Sequence, residues 1–502
     1  MAISAETFFL GPRFDGTLQQ QIRQMVAEGI LTGRFRPGER LPSTRALALH
    51  LGVSRITVSL AFTDLVADDY LVARGRAGYF VSDTAPQAPK FVTRPSAGIG
   101  SVDWNRAIGQ RFSGADAVRR PGNWREFRYP FIYGQADESL FDRQNWRASS
   151  LRALGQKDFA PLTGDYYDRD DPMLIEFIAR HTLPRRGILA APDEILLTMG
   201  AQNALWLAAQ VLLTQRRTAV VEDPCYPAQR EILGLSRCHL HPVPVDGAGL
   251  PPEAIPPGAD VVFTTPSHQC PTTATMPVER REALLARAAR DGFLIVEDDY
   301  EFEMSFVHAP APALKSLDRD GRVIYIGSFS KSLFPGLRLG YLVGPAPFIR
   351  EARALRLAVL RHPPGHIQRT VAYFLSLGHY DALIGRMARA YLQRRQAMDA
   401  TIARLGLELA GAGAYGGSSR WMRAPDHVDT EILATRLQDD GVLIEPGRAF
   451  FAGADAPRNY YRLAYSSIPS ERIPAGLEKI SDAIADYPIA ARGSDRATRA
   501  AR

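Results

Sequence analysis

Long apolar runs are missing from this chain, and cysteine is nearly so. Among 502 residues there are three cysteines, Cys225, Cys238 and Cys270, and no two stand at the spacing of a metal-binding or redox pair. That excludes a disulfide-stapled secreted scaffold and points to a reducing compartment. No apolar segment approaches the ~20 residues a membrane-spanning helix requires; residues 204–213, among the longest, are broken by Gln210. The opening stretch, MAISAETFFLGPRF, lacks a basic start followed by an apolar core. A secretory signal is therefore not expected, and the cytoplasm is the expected location. Charge of one sign is scarce as well: the net charge is +6, which permits a polyanionic partner without demanding one. What is present is ordinary for globular protein, 46% hydrophobic and 23% charged. At roughly 100–200 residues per domain, the length predicts two to four domains.

The first eighty residues carry a helical period. Leu18, Ile22, Met25, Val26, Gly29 and Ile30 form one apolar stripe, and Gly33 and Pro37-Gly38 end it. Ser43 is placed to cap a second helix that Gly52 closes, and Ser54 to cap a third, striped by Val58, Ala61, Phe62, Leu65 and Val66. Two short helices joined by a tight glycine turn predict a helix-turn-helix. Arg55 and Thr57 stand at the start of the third helix, the end of a recognition helix that meets base edges. Residues 70–72 and 79–81 flank Arg74-Gly75-Arg76-Ala77-Gly78, which reads as a hairpin wing with a basic tip. Nine arginines meet seven acids between 13 and 83, so position matters more than total. Arg45, Arg55 and Arg76 fall at helix starts and the wing tip, where side chains reach phosphates and bases. A helical protein-interaction module with solvated arginines would show the same spacing.

From 84 to 124 the apolar period fades and Pro86, Pro89, Pro95, Gly98 and Gly100 punctuate the chain, so a mobile linker is expected, with short structure at 104–112. From 125 to 488 strand-like runs (195–198, 219–221, 261–264, 293–296, 323–326) alternate with helical ones such as 203–213 and 280–290. That alternation predicts an α/β domain with a mainly parallel sheet and ligands at the strands' C-terminal ends. The tail, 489–502, with Arg492, Arg496, Arg499 and Arg502, reads as disordered and solvated.

Chemistry-bearing residues cluster at those strand ends. The run Val323-Ile324-Tyr325-Ile326 ends in Gly327-Ser328-Phe329-Ser330-Lys331, with Arg338 beyond. A lysine at a strand end can condense with an aldehyde, and neighbouring hydroxyls with an arginine can hold a phosphate, which is what pyridoxal phosphate (PLP) requires. Gly200-Ala201-Gln202 opens a helix whose backbone N–H groups can receive a phosphate. Tyr226 can stack on a ring, Asp298 or Asp299 can hold a proton on a pyridine nitrogen, and Tyr300 can donate to a ring oxygen. Each has a bland alternative: Tyr226 as packing, and the acidic run 297–299 as a solvated strand end or a metal site.

Three segments carry a family likeness in the head: residues 37–45 (PGERLPSTR), 51–58 (LGVSRITV) and 78–81 (GYFV). They resemble the GntR-type winged helix-turn-helix, and 125–488 resembles fold-type I aminotransferases. In that order, 13–83 head, 84–124 linker, 125–488 large domain, the chain resembles the MocR/GabR family of PLP-dependent transcriptional regulators. The resemblance implies a DNA-binding head touching an operator through Arg45, Ser54, Arg55, Thr57, Arg76 and Gly78. It implies PLP held as an aldimine of Lys331, with Asp298 at the pyridine nitrogen, Tyr300 at the ring oxygen and Tyr226 on the ring face. Gly200, Ala201, Gln202, Ser328, Ser330 and Arg338 would receive the phosphate, and Arg462 would clamp an effector's carboxylate. No metal and no membrane is implied, and a homodimer is. The expected effector is a small amine or amino acid, like GABA, taurine or an ectoine derivative. Direct sensing of PLP to control vitamin B6 synthesis, or aminotransferase turnover with an attached head, are the other readings. Departures are local. Cys270-Pro271-Thr272-Thr273 stands where aminotransferases have Asn-Pro-Thr-Gly, leaving His268 or Gln269, or nothing, to replace the asparagine. Ala228 stands where some relatives have an arginine, and Asp170 where a glycine is usual.

Overall fold

Helix boundaries in the N-terminal region follow their caps. Helix α1 (Leu18–Leu31) starts at Thr17, whose side chain accepts from Gln20 N while the Gln20 side chain returns to the Thr17 N–H. Helix α2 (Thr44–Leu51) starts where Ser43 Oγ accepts from Ala46 N, and it stops at Gly52, whose φ of +67° suits glycine. Helix α3 (Arg55–Ala67) is capped by Ser54. Strands β1 (Leu71–Ala73) and β2 (Tyr79–Val81) pair antiparallel as the wing. Ile22, Val26, Leu47, Val58, Phe62 and Leu65 close into one core. Phe8 joins it, its ring 5.2 Å from that of Phe35, so the head's core draws on residues upstream of 13. A period that begins at Leu18 carries no sign of that contact.

The computed structural model describes residues 2–11, 16–86, 102–112, 121–135, 137–165 and 168–488. Arg13, the linker stretches 87–101 and 113–120, Tyr166, Tyr167 and the tail with its four arginines lie outside the described residues. The chain divides into two compact units, 1–110 and 111–502. In the expected linker, residues 104–107 form one helical turn.

The second unit is built on a seven-stranded sheet. Its strands are β3 (Ile195–Thr198), β4 (Thr218–Asp223), β5 (His239–Pro244), β6 (Val261–Thr264), β7 (Leu294–Asp298), β8 (Val323–Ser328) and β9 (Gly340–Val343). Their spatial order is β3-β9-β8-β7-β6-β4-β5. All neighbours from β8 to β5 pair parallel; β9 alone runs against both its neighbours. The central strands are buried on both faces, as helix-covered parallel strands must be. The expected mainly parallel α/β sheet is therefore present. Two strands escape the sequence pattern. β5 is the edge strand, largely exposed and carrying Pro242 and Pro244 where no ladder partner is needed. β9 follows a turn rather than a helix. Helix α4 (Ala201–Leu212) begins two residues before the expected 203, directly after Gly200. A smaller antiparallel sheet follows: β10 (Glu408–Leu409), β11 (Ser419–Arg423), β12 (Glu445–Pro446) and β13 (Tyr460–Ala464), in the order β10-β11-β13-β12. Among the described residues no helix is long and apolar enough to cross a membrane.

Candidate functional site

Sheet topology gathers the chemistry. Strands β3, β4, β6, β7 and β8 point the same way, so their C-terminal ends open on one edge. The antiparallel β9 brings its start to that edge, and with it Arg338. Together with Tyr133 and Gly134 from upstream and Arg462 from β13, these ends enclose a cavity of about 230 Å³. Ala201, Gln202, Tyr226, Asp298, Tyr300, Ser328, Ser330, Lys331, Arg338 and Arg462 all line it. Gly200 lies behind them with φ +79°; a Cβ there would meet Ser330 Oγ and Arg338 Cζ at 3.6 Å. The residues that the family likeness assigned to the cofactor and the effector are thus at or against this one cavity, whereas the alternatives Asp299, His268 and Gln269 are not among its lining.

The two adjacent aspartates at the end of β7 have opposite environments, because successive residues of an extended chain face opposite ways. Asp298 faces the cavity. It is buried, and its Oδ1 has no hydrogen-bond partner among the described residues. Burial, reinforced by the Asp299 charge and opposed by Lys331, pushes its carboxyl up to about 7. Asp299 faces away, 2.7 Å from Arg186 Nε and accepting from Tyr325 Oη at 2.9 Å. Burial works against its charge, and Arg186 overrides burial, holding the carboxyl below its usual range. Of the two carboxylates, Asp298 is the one available to a ligand.

At the other hydroxyls and amides the cavity is partly pre-wired. Gln202 Nε2 donates to Tyr226 Oη at 3.0 Å, and Arg338 Nη2 donates to Gln202 Oε1 at 3.4 Å. Ser330 N donates to Ser328 Oγ at 3.2 Å, while Ser330 Oγ is buried without a partner among the described residues. Tyr300 Oη donates to the His268 carbonyl at 2.9 Å, so this hydroxyl is already engaged. Neither candidate to replace the missing asparagine reaches the cavity. Gln269 Nε2 is held by the Pro224 carbonyl at 2.7 Å and by Glu222. His268 is buried, and burial pushes its imidazole down to about 4. Cys270 does line the cavity, with Sγ 3.9 Å from Arg462 Nη1, and burial pushes its thiol up to about 11.

Sequence reasoning missed Tyr133 and Gly134. Lys331 Nζ lies 4.2 Å from the Tyr133 ring centroid and Arg462 Cζ 4.1 Å from it. Gly134 has φ +74°, and a Cβ there would fall 2.3 Å from Lys331 Nζ. The apolar run Phe131-Ile132-Tyr133 ending in glycine was the available signal. Glu445 was missed too: Nε and Nη2 of Arg462 both lie 2.8 Å from its Oε2.

The head's residues belong to the first compact unit, 1–110, and the cavity's to the second. Arg45, Arg55 and Arg76 are exposed, and Gly78 turns the wing with φ +99°. Ser54 and Thr57 are occupied locally, their hydroxyl oxygens 2.7 Å apart, with Ser54 Oγ also accepting from Thr57 N. Arg55 Nε donates to Thr44 Oγ1 at 3.4 Å, tying α3 to α2. Ile56, 72% exposed at the start of α3, is a further side chain that sequence reasoning had not put among the contacts.

Comparison with known proteins agrees with both regions. Residues 146–480 match the aminotransferase class I and II family, and residues 18–81 match the bacterial regulatory proteins of the gntR family. The HTH-type transcriptional regulator TauR of Rhodobacter capsulatus is 60% identical over 484 residues, 96% of this chain and 100% of its own. The "Probable rhizopine catabolism regulatory protein MocR" of Rhizobium meliloti is 31% identical over 497 residues, 97% of this chain and 98% of its own. Among solved structures, the α-aminoadipate aminotransferase LysN of Thermus thermophilus superposes with a TM-score of 0.68 at 26% identity. It spans 76% of this chain and 98% of its own, and was solved with N-(5'-phosphopyridoxyl)-L-leucine.

Proposed function

This chain belongs to the MocR-like family of transcriptional regulators, a GntR-type helix-turn-helix head joined to an aminotransferase class I and II domain, and from that premise we propose that it binds PLP and reports a small primary amine to an operator. The observation that carries the reading is a pair of buried polar atoms with no partner among the described residues, the acceptor Asp298 Oδ1 and the hydroxyl donor Ser330 Oγ, in the wall of the cavity that holds Lys331. Buried polar atoms without partners are rare in folded proteins and fit a missing ligand's groups. An N–H on a pyridine ring answers the first, and a phosphate oxygen answers the second.

When bound, PLP supplies an aldehyde that condenses reversibly with primary amines, and a ring nitrogen that must keep its proton. Asp298 holds that proton, and its raised affinity for protons in a buried site falls once the ring N–H arrives. Lys331 Nζ is the protein's own amine, which an effector amine displaces. Arg338, Ser328, Ser330 and the backbone N–H groups at the start of α4 receive the phosphate. Tyr226 lies against the ring face. Arg462 meets the effector's anionic group, carboxylate or sulfonate. Because Lys331 Nζ and Arg462 Cζ both lie within 4.2 Å of one ring centroid, the amine and the anion of the effector must be separated by a short chain. This supports a compact amino acid or aminosulfonate of the GABA, taurine or ectoine-derivative kind.

Effector binding alters DNA affinity only as far as it binds the two conformations of the protein unequally. The protein acts as a homodimer on double-stranded DNA, with Arg45, Arg55 and Arg76 as the exposed donors to phosphates and bases. The test is an absorption titration of the PLP-loaded protein with a panel of amines, with Lys331→Ala as control, followed by operator binding with and without the responding amine. A stable spectral change on one short anionic amine, accompanied by a change in operator affinity, is expected. Steady consumption of the amine with release of its carbonyl product would make the domain an enzyme instead. A response to PLP alone, with no amine effect, would make PLP itself the signal.

A further inference from the structure

Arginine clamps for small anions owe their strength to an uncompensated guanidinium with a free edge. Arg462 has neither in full. Its Nε and Nη2 lie 2.8 Å from Glu445 Oε2, and both side chains are buried, Arg462 at 5% and Glu445 at 1% exposure. The pair is built into the fold: Glu445 and Arg462 are directly opposed residues of the antiparallel β12–β13 ladder. The flat guanidinium is also flanked by aromatic rings, Tyr133 at 4.1 Å and Phe450 at 4.7 Å from Cζ. Its remaining nitrogen, Nη1, lies 3.9 Å from Cys270 Sγ in the cavity wall. Burial works against the arginine's charge, and Glu445 more than restores it. So the clamp is a near-neutral ion pair that shows a ligand only its terminal edge.

We infer that Glu445 is the selectivity residue of the effector site, a built-in counter-charge that holds Arg462 too weakly attractive to trap an anion by itself, so that binding requires an amine at Lys331 and an anionic group at Arg462 together. This rests on the reading of Arg462 as the effector's clamp. The chemical problem it solves is real for any intracellular anion sensor. Simple carboxylates, chloride and phosphate carry charge of the same sign as the effector's acid, and an uncompensated buried arginine would collect them. Set against Glu445, the arginine repays only an anion that is already anchored at its other end. The edge that Glu445 occupies is the side-on Nε–Nη2 edge, so the ligand's anion must approach end-on, from the Cys270 side. That geometry also limits how far the anion can lie from Lys331.

The experiment compares three amines on the PLP-loaded full-length protein by absorption titration: 3-aminopropanoate, 2-aminoethanesulfonate and the uncharged propylamine. In Glu445→Gln the two anionic amines are expected to tighten by about tenfold relative to propylamine, because removing one like charge near the ligand's anion strengthens its net attraction. Glu445→Asp, which keeps the charge, is expected to retain the native ratio. A purely structural role would weaken all three amines together, and an unchanged ratio in a folded Glu445→Gln protein overturns the inference. Arg462→Gln separates the two levels of the argument. Loss of the preference for anionic amines upholds the clamp; survival of that preference in Arg462→Gln overturns the clamp reading itself. A measurement on the native protein stands independently of how the variants fold. Propionate, an anion without an amine, should fail to compete with propylamine at concentrations where 3-aminopropanoate saturates, and effective competition by propionate overturns the inference.

Discussion

At the Asp298 end of the cavity, a buried carboxylate oxygen and a buried serine hydroxyl have no partner among the described residues; at the Arg462 end, the charged group is already held by Glu445 and flanked by two rings. Both ends lie in one cavity of one domain, the first built at the ends of the parallel strands and the second from the middle of β13. The difference is in how burial is compensated. An acceptor left open in the interior costs free energy until a ligand's donor arrives, so that end is organised to keep a tightly bound group. A cation neutralised in advance costs little when empty and offers little when filled, so that end is organised to exchange its ligand.

The contrast breaks most completely at Asp298. Asp298→Asn is expected to weaken PLP by about a hundredfold, the range of a charge-assisted hydrogen bond, as read by equilibrium dialysis against free PLP. An unchanged affinity would mean that the open acceptor is not what the cofactor meets. The same residue gives a pH signature. In the folded, cofactor-free protein its carboxyl titrates at about 7, above its value of about 3.9 in an unfolded chain. The folded state therefore binds the proton more tightly, and stability from this group is fully present below pH 4 and is lost as pH rises toward 7. Denaturant midpoints of the cofactor-free protein should fall over that window. PLP, by supplying an N–H to the carboxylate, should flatten the fall, and so should Asp298→Asn. Burial also pushes Glu297 and Glu303 up to about 7, so the informative quantity is the part of the slope that PLP removes.

Next in size is Gly134→Ala. The added Cβ would fall 2.3 Å from Lys331 Nζ at a φ of +74°, so Lys331 must move. A roughly tenfold weaker capture of amines is expected, with about 1 kcal/mol lost from stability through the strained backbone. Native titration curves in this variant would show that the lysine has room the structure denies it. The smallest expected effect lies in the head, where no burial amplifies charge. Arg55→Ala should lower the slope of log operator affinity against log salt by about one. An unchanged slope would remove Arg55 from the DNA contacts.

Much of the site was legible because its signals are local. The Ser-Phe-Ser-Lys run after a buried strand, the glycine turn before α4 and the acidic end of β7 each report a strand end in a handful of residues, and parallel topology brings strand ends together as a rule. The head was legible for the same reason, since Ser43 and Ser54 cap their helices through bonds spanning three residues. Other members were silent. Tyr133 and Gly134 sit some two hundred residues before Lys331, and no local pattern joins them. Glu445 acquires meaning only through its register against Arg462. Asp298 and Asp299 are indistinguishable as letters; the alternation of β7 and the location of Arg186 separate them. The edge strand β5, exposed and proline-bearing, and the antiparallel β9, preceded by a turn, carry no alternating pattern of the expected kind.

The amino-acid order by itself determined the two-part organisation, the winged head, the α/β class and a lysine-centred cavity at the strand ends, because caps, periods and strand–turn–helix junctions are set by neighbours in the chain. Tertiary structure alone decided which carboxylate is open, which arginine is already answered and what stands beside the lysine. Those outcomes depend on burial and charge compensation between residues that only folding makes adjacent.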